Sequence, residues 1–182
     1  SPNPFALQAL LRRMRSQKVR YVVLEVTSHG LDQFRVYPLK PKIAVLTNIT
    51  HEHLDYHSSF AAYRDAKLKL FKHADHAVIN KDLEIFNDIN TRLPKVMFST
   101  YSLHESSQIK PDHVEYLADK TVFTLGSTIY TISLTGEYNL YNTLAAISTA
   151  LLLGISPIDI KHALSSFRGV RGRLEEINNT RG

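Results

Sequence analysis

The 182-residue sequence has no cysteine, a formal net charge of +5, 43% hydrophobic residues and 21% charged residues. The absence of cysteine excludes a disulfide framework and thiolate metal sites, and no apolar run approaches the roughly 20 residues that span a membrane. The basic residues are scattered along the chain, so the sequence does not favour nucleic-acid binding, whereas an anionic ligand such as a nucleotide remains compatible.

Helical and strand patterns alternate in the first half of the chain. After a turn over residues 1–4, apolar residues at helical spacing predict a first helix. Residues 21–26 and 43–48 are nearly continuous apolar runs, which are typical of strands buried on both faces of a parallel sheet. The next predicted elements are a helix over 60–71 and strands over 76–80 and 95–98.

The second half has a different pattern. Three short alternating segments over 114–117, 121–125 and 128–134 predict an antiparallel meander, and two helices follow, over 139–152 and 157–167. The sequence therefore predicts an α/β fold, with a mostly parallel sheet flanked by helices and a small antiparallel meander near 113–134. We expect one domain over residues 1–170 and a linker over 171–182.

Polar residues follow two of the predicted strands. The segments 25–29 and 48–57 both lie at strand carboxyl ends, where ligands bind in parallel sheets. We therefore expect the two segments to converge on one crevice.

Glu25 is the first candidate for chemistry. A carboxylate that closes an apolar strand is costly to bury unless it is paired or binds a cation, and Mg²⁺ prefers such oxygen ligands. The plain alternative is a surface or helix-capping residue just beyond the strand.

A histidine-rich segment follows the second strand. His51, His53, Asp55 and His57 lie within seven residues, and in an extended segment they would share one face. A single histidine here would be interpreted as a loop residue that binds no metal. Three histidines together with Asp55 indicate a metal site. Zinc is also possible, because histidine and aspartate are zinc ligands.

Other polar positions have ordinary structural explanations. By its spacing alone, Lys67 is a solvated lysine on an amphipathic helix. Asn139 is a plausible helix N-cap, and Asn142 would follow in the first turn. Their side-chain amides would also suit the edge of a purine, but capping by itself explains Asn139.

Five stretches together resemble the Mur ligases, the ATP-dependent amide-bond-forming enzymes of peptidoglycan synthesis. Within that family the chain most resembles the MurE group, which adds the third amino acid to UDP-N-acetylmuramoyl-L-alanyl-D-glutamate. The stretches match in order and spacing. They are residues 24–36, 47–57, 63–67, 136–142 and 172–175.

The resemblance implies roles residue by residue. Glu25 and His53 would bind Mg²⁺, and Lys67 would be the lysine that the family carbamylates, which makes it a ligand of a second Mg²⁺. This reverses the interpretation of Lys67 from spacing. The remaining implied contacts are Thr27, Gln33 and Arg35 to the UDP-muramoyl dipeptide, and Asn139, Asn142 and Arg173 to ATP.

The resemblance also implies a context, and the chain departs from the family in places. It has seven glycines and no Gly-x-x-x-x-Gly-Lys-Ser/Thr loop, although the family has a phosphate loop of the P-loop NTPase type. Thr27 stands for the usual serine, Glu52 for aspartate, and Ser1 for a substrate-binding threonine. We therefore expect a central ATPase domain without its phosphate-loop strand, its UDP-binding domain and its amino-acid-binding domain. The parent enzyme would be a cytoplasmic bacterial ligase and a monomer, with no nucleic-acid or membrane partner.

Two other functions compete with the ligase. One is a binuclear metal hydrolase, because residues 51–57 resemble a His-x-His-x-Asp-His motif; Tyr56 between Asp55 and His57 breaks that spacing. The other is a non-catalytic binding module, since the chain by itself lacks a phosphate loop and should be an inactive ligase. The third amino acid, diaminopimelate or lysine, is not encoded in this stretch.

Overall fold

The computed structural model describes residues 3–50 and 56–170. The predicted site residues His51, His53, Asp55 and Arg173 lie outside the described residues, as does the predicted linker over 171–182. The described part contains six α-helices and six strands, with a 3₁₀ turn at Phe71–His73 after the third helix. The helices are α1 Pro4–Ser16, α2 Ser28–Asp32, α3 Phe60–Leu68, α4 Phe86–Arg92, α5 Glu137–Leu152 and α6 Pro157–Ser166. The strands are β1 Ile43–Leu46, β2 His76–Asn80, β3 Met97–Tyr101, β4 His113–Tyr116, β5 Thr121–Leu125 and β6 Thr128–Ile132.

Two three-stranded sheets confirm the predicted α/β class with an antiparallel meander. The parallel sheet has the order β1-β2-β3, and the second sheet has the order β4-β5-β6. In β2 the consecutive residues Ala77, Val78 and Ile79 are all fully buried, as expected of a strand covered on both faces. The meander is antiparallel, and Phe123 lies opposite Tyr130 with the two rings stacked at 5.4 Å.

The chain divides into two compact units. The first contains the described residues of Ser1–Ala77 and Glu84–Phe98, and the second those of Val78–Leu83 and Ser99–Gly182. In the first unit Leu7, Leu31 and Val36 form a small core cluster. In the second unit α5 is the most deeply packed helix, with Leu140, Leu144 and further residues buried.

The predicted strand over 21–26 is wrong. These residues form no strand, and Tyr21, Val22 and Val23 are 45%, 46% and 98% exposed. Among the described residues no strand pairs with this segment, and a strand needs a partner for its backbone hydrogen bonds. The apolar run therefore stays irregular until α2 begins.

The starts of the first three helices follow from their capping residues. Asn3 accepts a hydrogen bond from the N–H of Ala6 at 2.8 Å, and Pro4 follows it, so α1 begins as predicted. Thr27 caps α2 and Ser59 caps α3 in the same way. The short helices α2 and α4 were not predicted, because seven residues or fewer show too little periodicity.

Candidate functional site

The first unit contains Glu25, Thr27, Gln33, Arg35 and Lys67. The irregular segment carries Glu25 and ends at Thr27, the N-cap of α2, whose hydroxyl accepts the N–H of Gly30 at 3.1 Å. Because that hydroxyl uses its oxygen as an acceptor, its own proton stays available to a ligand. Helix α2 then packs against α3, the helix that carries Lys67.

A buried polar contact joins the start of α2 to the end of the histidine segment. Ser28 and His57 are 2% and 5% exposed, and Ser28 Oγ and His57 Nε2 share a hydrogen bond of 3.0 Å. The ring of His57 also lies 5.4 Å from the ring of Tyr63 on α3. One residue from each of the two segments is therefore in contact within the first unit, although residues 21–26 form no strand.

Lys67 lies on the last turns of α3. Its Nζ donates to the backbone carbonyl of Asn48 at 3.1 Å and sits 4.7 Å above the ring of Tyr63. Among the described residues it forms no ion pair with a carboxylate.

Glu25 is exposed, and no described residue forms an ion pair or a hydrogen bond with its carboxylate. An exposed carboxylate offers oxygen atoms of the kind that Mg²⁺ prefers as ligands. Within residues 3–50 and 56–170 there is no cluster of three or more histidine and acidic side chains that could hold a metal. The metal role of His53 therefore stays a prediction.

A polar network that sequence reasoning missed continues from α2. Lys69 Nζ contacts Asp32 Oδ1 at 2.6 Å, and this contact, with its charge, holds the pKa of Asp32 below its usual value. The Tyr56 hydroxyl donates to Asp32 at 3.3 Å, and Gln33 Nε2 donates to the Tyr56 oxygen at 3.3 Å. Gln33, a predicted substrate contact, is thus oriented by an aromatic hydroxyl. An acid at 32 and a lysine at 69 lie too far apart in the sequence to signal this pair.

The second unit carries Asn139 and Asn142 on α5. Asn139 is not the N-cap that the pattern predicted, because the helix begins at Glu137 after Gly136, whose φ is +91°. The Asn139 amide instead donates to the carbonyl of Thr135 at 2.7 Å. Asn142 is exposed, and its spacing from Asn139 places the two residues on one face of the helix.

Asp82 organises the loop that follows β2, and it too was missed. Its carboxylate accepts from the Ser102 hydroxyl at 2.6 Å, the N–H of Leu103 at 2.7 Å and the Tyr141 hydroxyl at 2.9 Å. Partial burial opposes its charged form, but these hydrogen bonds hold the pKa of Asp82 below its usual value. Burial and the bond to Asp82 raise the pKa of Tyr141. The sequence signal was an acid just beyond the carboxyl end of a buried strand.

The described residues form an α/β fold in which the polar residues Glu25, Thr27 and Asn142 are exposed. A family model for the Mur ligase middle domain matches residues 1–150. The chain is 36% identical over 184 residues to UDP-N-acetylmuramoyl-L-alanyl-D-glutamate–2,6-diaminopimelate ligase of Clostridium perfringens, covering 97% of this chain and 38% of that protein. It is 37% identical over 186 residues to the protein of the same name from Gloeobacter violaceus, with the same coverage.

A solved structure of UDP-N-acetylmuramoyl-L-alanyl-D-glutamate–2,6-diaminopimelate ligase superposes with a TM-score of 0.84 at 26% identity. It covers 98% of this chain and 39% of that one. A point mutant of L. casei FPGS shares the fold, with a TM-score of 0.73 at 18% identity over 92% of this chain and 44% of that one.

The chain therefore belongs to the Mur ligase family and corresponds to its middle domain. Family membership confirms the resemblance predicted from the five sequence stretches. The chain spans about 38% of the length of the curated relatives that it matches. The relatives named here are ligases, so they lend no support to the metal-hydrolase alternative. Among the described helices, none is long and apolar enough to cross a membrane.

Proposed function

We propose that this chain is the central domain of an ATP-dependent ligase that adds diaminopimelate or lysine to UDP-N-acetylmuramoyl-L-alanyl-D-glutamate. The observation that carries the proposal is the arrangement in the first unit. There the Ser28–His57 hydrogen bond and the His57–Tyr63 ring contact join α2, which candidate substrate residues flank, to α3, which carries Lys67. The family and the names of its relatives supply the reaction class.

In the proposed reaction, the substrate carboxylate attacks the γ-phosphate of ATP and releases ADP. The incoming amine then attacks the acyl phosphate, so an amide bond forms and inorganic phosphate leaves. Both steps bring anionic groups together, and positive groups must offset that repulsion. Bound Mg²⁺ would supply most of this compensation.

The residues of the chain have distinct proposed tasks. Glu25 and His53 would hold Mg²⁺, and Lys67 as a carbamate would hold a second ion. Carbamylation changes a cation into a metal-binding anion, which is useful only beside metals. Thr27, Gln33 and Arg35 would orient the UDP-muramoyl dipeptide, an assignment that fits the free hydroxyl proton of Thr27 and the fixed amide of Gln33.

The nucleotide would bind through the second unit. Asn139 and Asn142 lie on one face of α5 and would approach adenine, and Arg173 would contact the nucleotide from a linker over 171–182, beyond a domain over 1–170. The UDP-linked precursor and ATP are consistent with action in the bacterial cytoplasm. No lysine directly follows a glycine in the 182-residue sequence, so the sequence contains no Gly-Lys phosphate-loop motif. We therefore expect the 182-residue chain by itself to release no phosphate from ATP.

The test uses the full-length gene product with ATP, Mg²⁺, the UDP-muramoyl dipeptide, and either diaminopimelate or lysine. We expect release of phosphate that requires the dipeptide and one of the two amino acids. Glu25→Gln should reduce the rate of phosphate release about 10²-fold or more, because a group that stabilises developing charge is lost. Glu84→Gln, at an exposed loop position, is the matched control. A folded full-length protein without dipeptide-dependent phosphate release would refute the proposal and favour a non-catalytic binding module.

A further inference from the structure

An apolar pocket of about 150 Å³ opens in the first unit beside Phe34. The buried side chains of Leu31 and Val36 line it together with Leu70, and the exposed rings of Phe34 and Tyr37 lie at its margin. An apolar cavity of this volume is large enough to hold a group the size of benzene.

Phe34 has a strained backbone. Its φ is +53°, in the left-handed region that glycine and asparagine favour and that a bulky residue rarely adopts. The ring is 63% exposed, so burial offsets little of this cost. It meets Tyr37 edge to face at 6.5 Å and lies 5.6 Å from Lys69 Nζ. Strain of this kind persists where the surrounding structure imposes it, and it concentrates at ligand sites.

The charged side chains that line the pocket are two lysines. They are Lys69 and Lys72, and no carboxylate is among the lining residues. Asp32 neutralises Lys69 at 2.6 Å, whereas Lys72 has no ion pair among the described residues. The pocket thus combines an apolar interior with a basic margin, which suits an anionic ligand that carries an apolar group.

The candidate substrate contacts lie next to the pocket in the sequence. Gln33 and Arg35 flank Phe34, and Phe34 lines the pocket. The hydrogen bonds from Gln33 to Tyr56, from Tyr56 to Asp32 and from Lys69 to Asp32 lead from the first of them to the pocket margin. A ligand held by Gln33 and Arg35 would therefore lie beside the exposed ring of Phe34.

We propose that Phe34 is a substrate-contacting residue and that its pocket receives an apolar group of the UDP-muramoyl dipeptide, such as a lactoyl or alanyl methyl group. The basic margin attracts the anionic groups of the same molecule. This inference rests on the proposed function, because the dipeptide ligand comes from it. It adds a specificity determinant between the two substrate contacts implied by the resemblance.

The chain offers a matched control, since Lys18 is the other non-glycine residue with positive φ, at +59°, among those described. Glycine at either position adopts the same backbone without strain. NMR titration of the full-length gene product with UDP-N-acetylmuramoyl-L-alanyl-D-glutamate should shift the methyl signals of Leu31 and Leu70. Phe34→Gly should weaken binding by about 3- to 10-fold, the order of loss for one aromatic contact, and Lys18→Gly should bind as the wild type does.

Both glycine variants should unfold no earlier than the wild type, and Phe34→Asn, which also tolerates the left-handed region, gives a second ring-free variant. Equal dipeptide affinity in wild type, Phe34→Gly and Phe34→Asn would overturn the inference and leave the proposed function intact.

Absence of dipeptide binding to the wild type would instead count against the proposed function. In that case the pocket is tested with three small molecules. Phenylacetate carries both a ring and a charge, acetate carries only the charge, and benzyl alcohol carries only the ring. Larger shifts of the pocket signals with phenylacetate, reduced in Lys72→Gln, would support an amphipathic-anion pocket, and equal shifts with all three probes would overturn it.

Discussion

The two units hold their candidate site residues in different ways. In the first unit, Glu25 and Thr27 lie on an exposed irregular segment, and Lys67 bonds to a backbone carbonyl. In the second unit, Asn139 and Asn142 lie on α5, a helix of 16 residues with a fully buried apolar side. Groups that bind metal or substrate charge need unused donors and acceptors, whereas amides that recognise a purine edge need a fixed frame. The contrast in packing therefore matches the contrast in proposed chemistry.

The prediction with the largest expected effect tests whether Lys67, in the first unit, takes part in the chemistry. Lys67→Ala in the full-length gene product should lower the ligation rate about 10²- to 10³-fold, because a group that supports developing charge is lost. Short carboxylic acids such as acetate should restore part of the rate by replacing the carbamate. Lys161→Ala, on an exposed position of α6, is the control. A rate unchanged in Lys67→Ala would remove the carbamate from the mechanism.

The next prediction asks whether the first unit depends on its buried polar contact for stability. His57→Ala leaves the buried Ser28 hydroxyl without this partner and should lower the free energy of unfolding by about 1–3 kcal/mol. Urea unfolding of the 182-residue chain measures it, with His162→Ala at an exposed position as the control. Equal unfolding midpoints for the two variants would show that the Ser28–His57 bond adds no stability.

A smaller change tests how firmly the second unit holds α5. Tyr141→Phe removes one hydrogen bond to Asp82, whose carboxylate keeps its other donors, so the loss should be about 1 kcal/mol. Tyr138→Phe alters an exposed ring on the same helix and should change nothing. If both variants unfold alike, the Asp82 contact does not fix the helix.

The smallest effect is a pH dependence in the second unit. The pKa of Asp82 is lowered from its usual 3.8 in the folded state. Its stabilising contribution is therefore fully present above that pH and is lost as the pH falls through the lower folded value. Urea unfolding between pH 6 and pH 3 should show a shallower acid loss in Asp82→Asn than in the wild type. Identical slopes would mean that another carboxylate dominates the acid response.

Local patterns predicted much of the fold. Strand β2 was predicted with its observed bounds because a buried strand in a parallel sheet reads as one apolar run. The meander and the long helices α5 and α6 also followed from periodicity, within a residue or two at each end. The run over 21–26 has the same local pattern as β2 and yet forms no strand, since pairing depends on a neighbour that the local pattern does not specify.

Local sequence patterns predicted only part of the candidate site as well. The sequence motifs identified the family and gave Glu25, Thr27, Gln33, Arg35 and Lys67 as candidates, and these assignments stay predictions. Contacts between distant residues could not be found from the motifs. They include the Ser28–His57 bond, the Asp32–Lys69 ion pair and the Asp82 network.

By itself, the sequence determined the family, the α/β class and most element positions, because periodicity and motif spacing are local properties of the chain. Only the tertiary structure decided that Phe34 adopts a strained, exposed conformation beside a pocket lined by two lysines. It also decided that the N-cap of α5 is Gly136 and not Asn139, and that His57 is a buried partner of Ser28. These outcomes depend on which distant groups meet and on the energies of burial and pairing there, and spacing along a single chain carries no record of them.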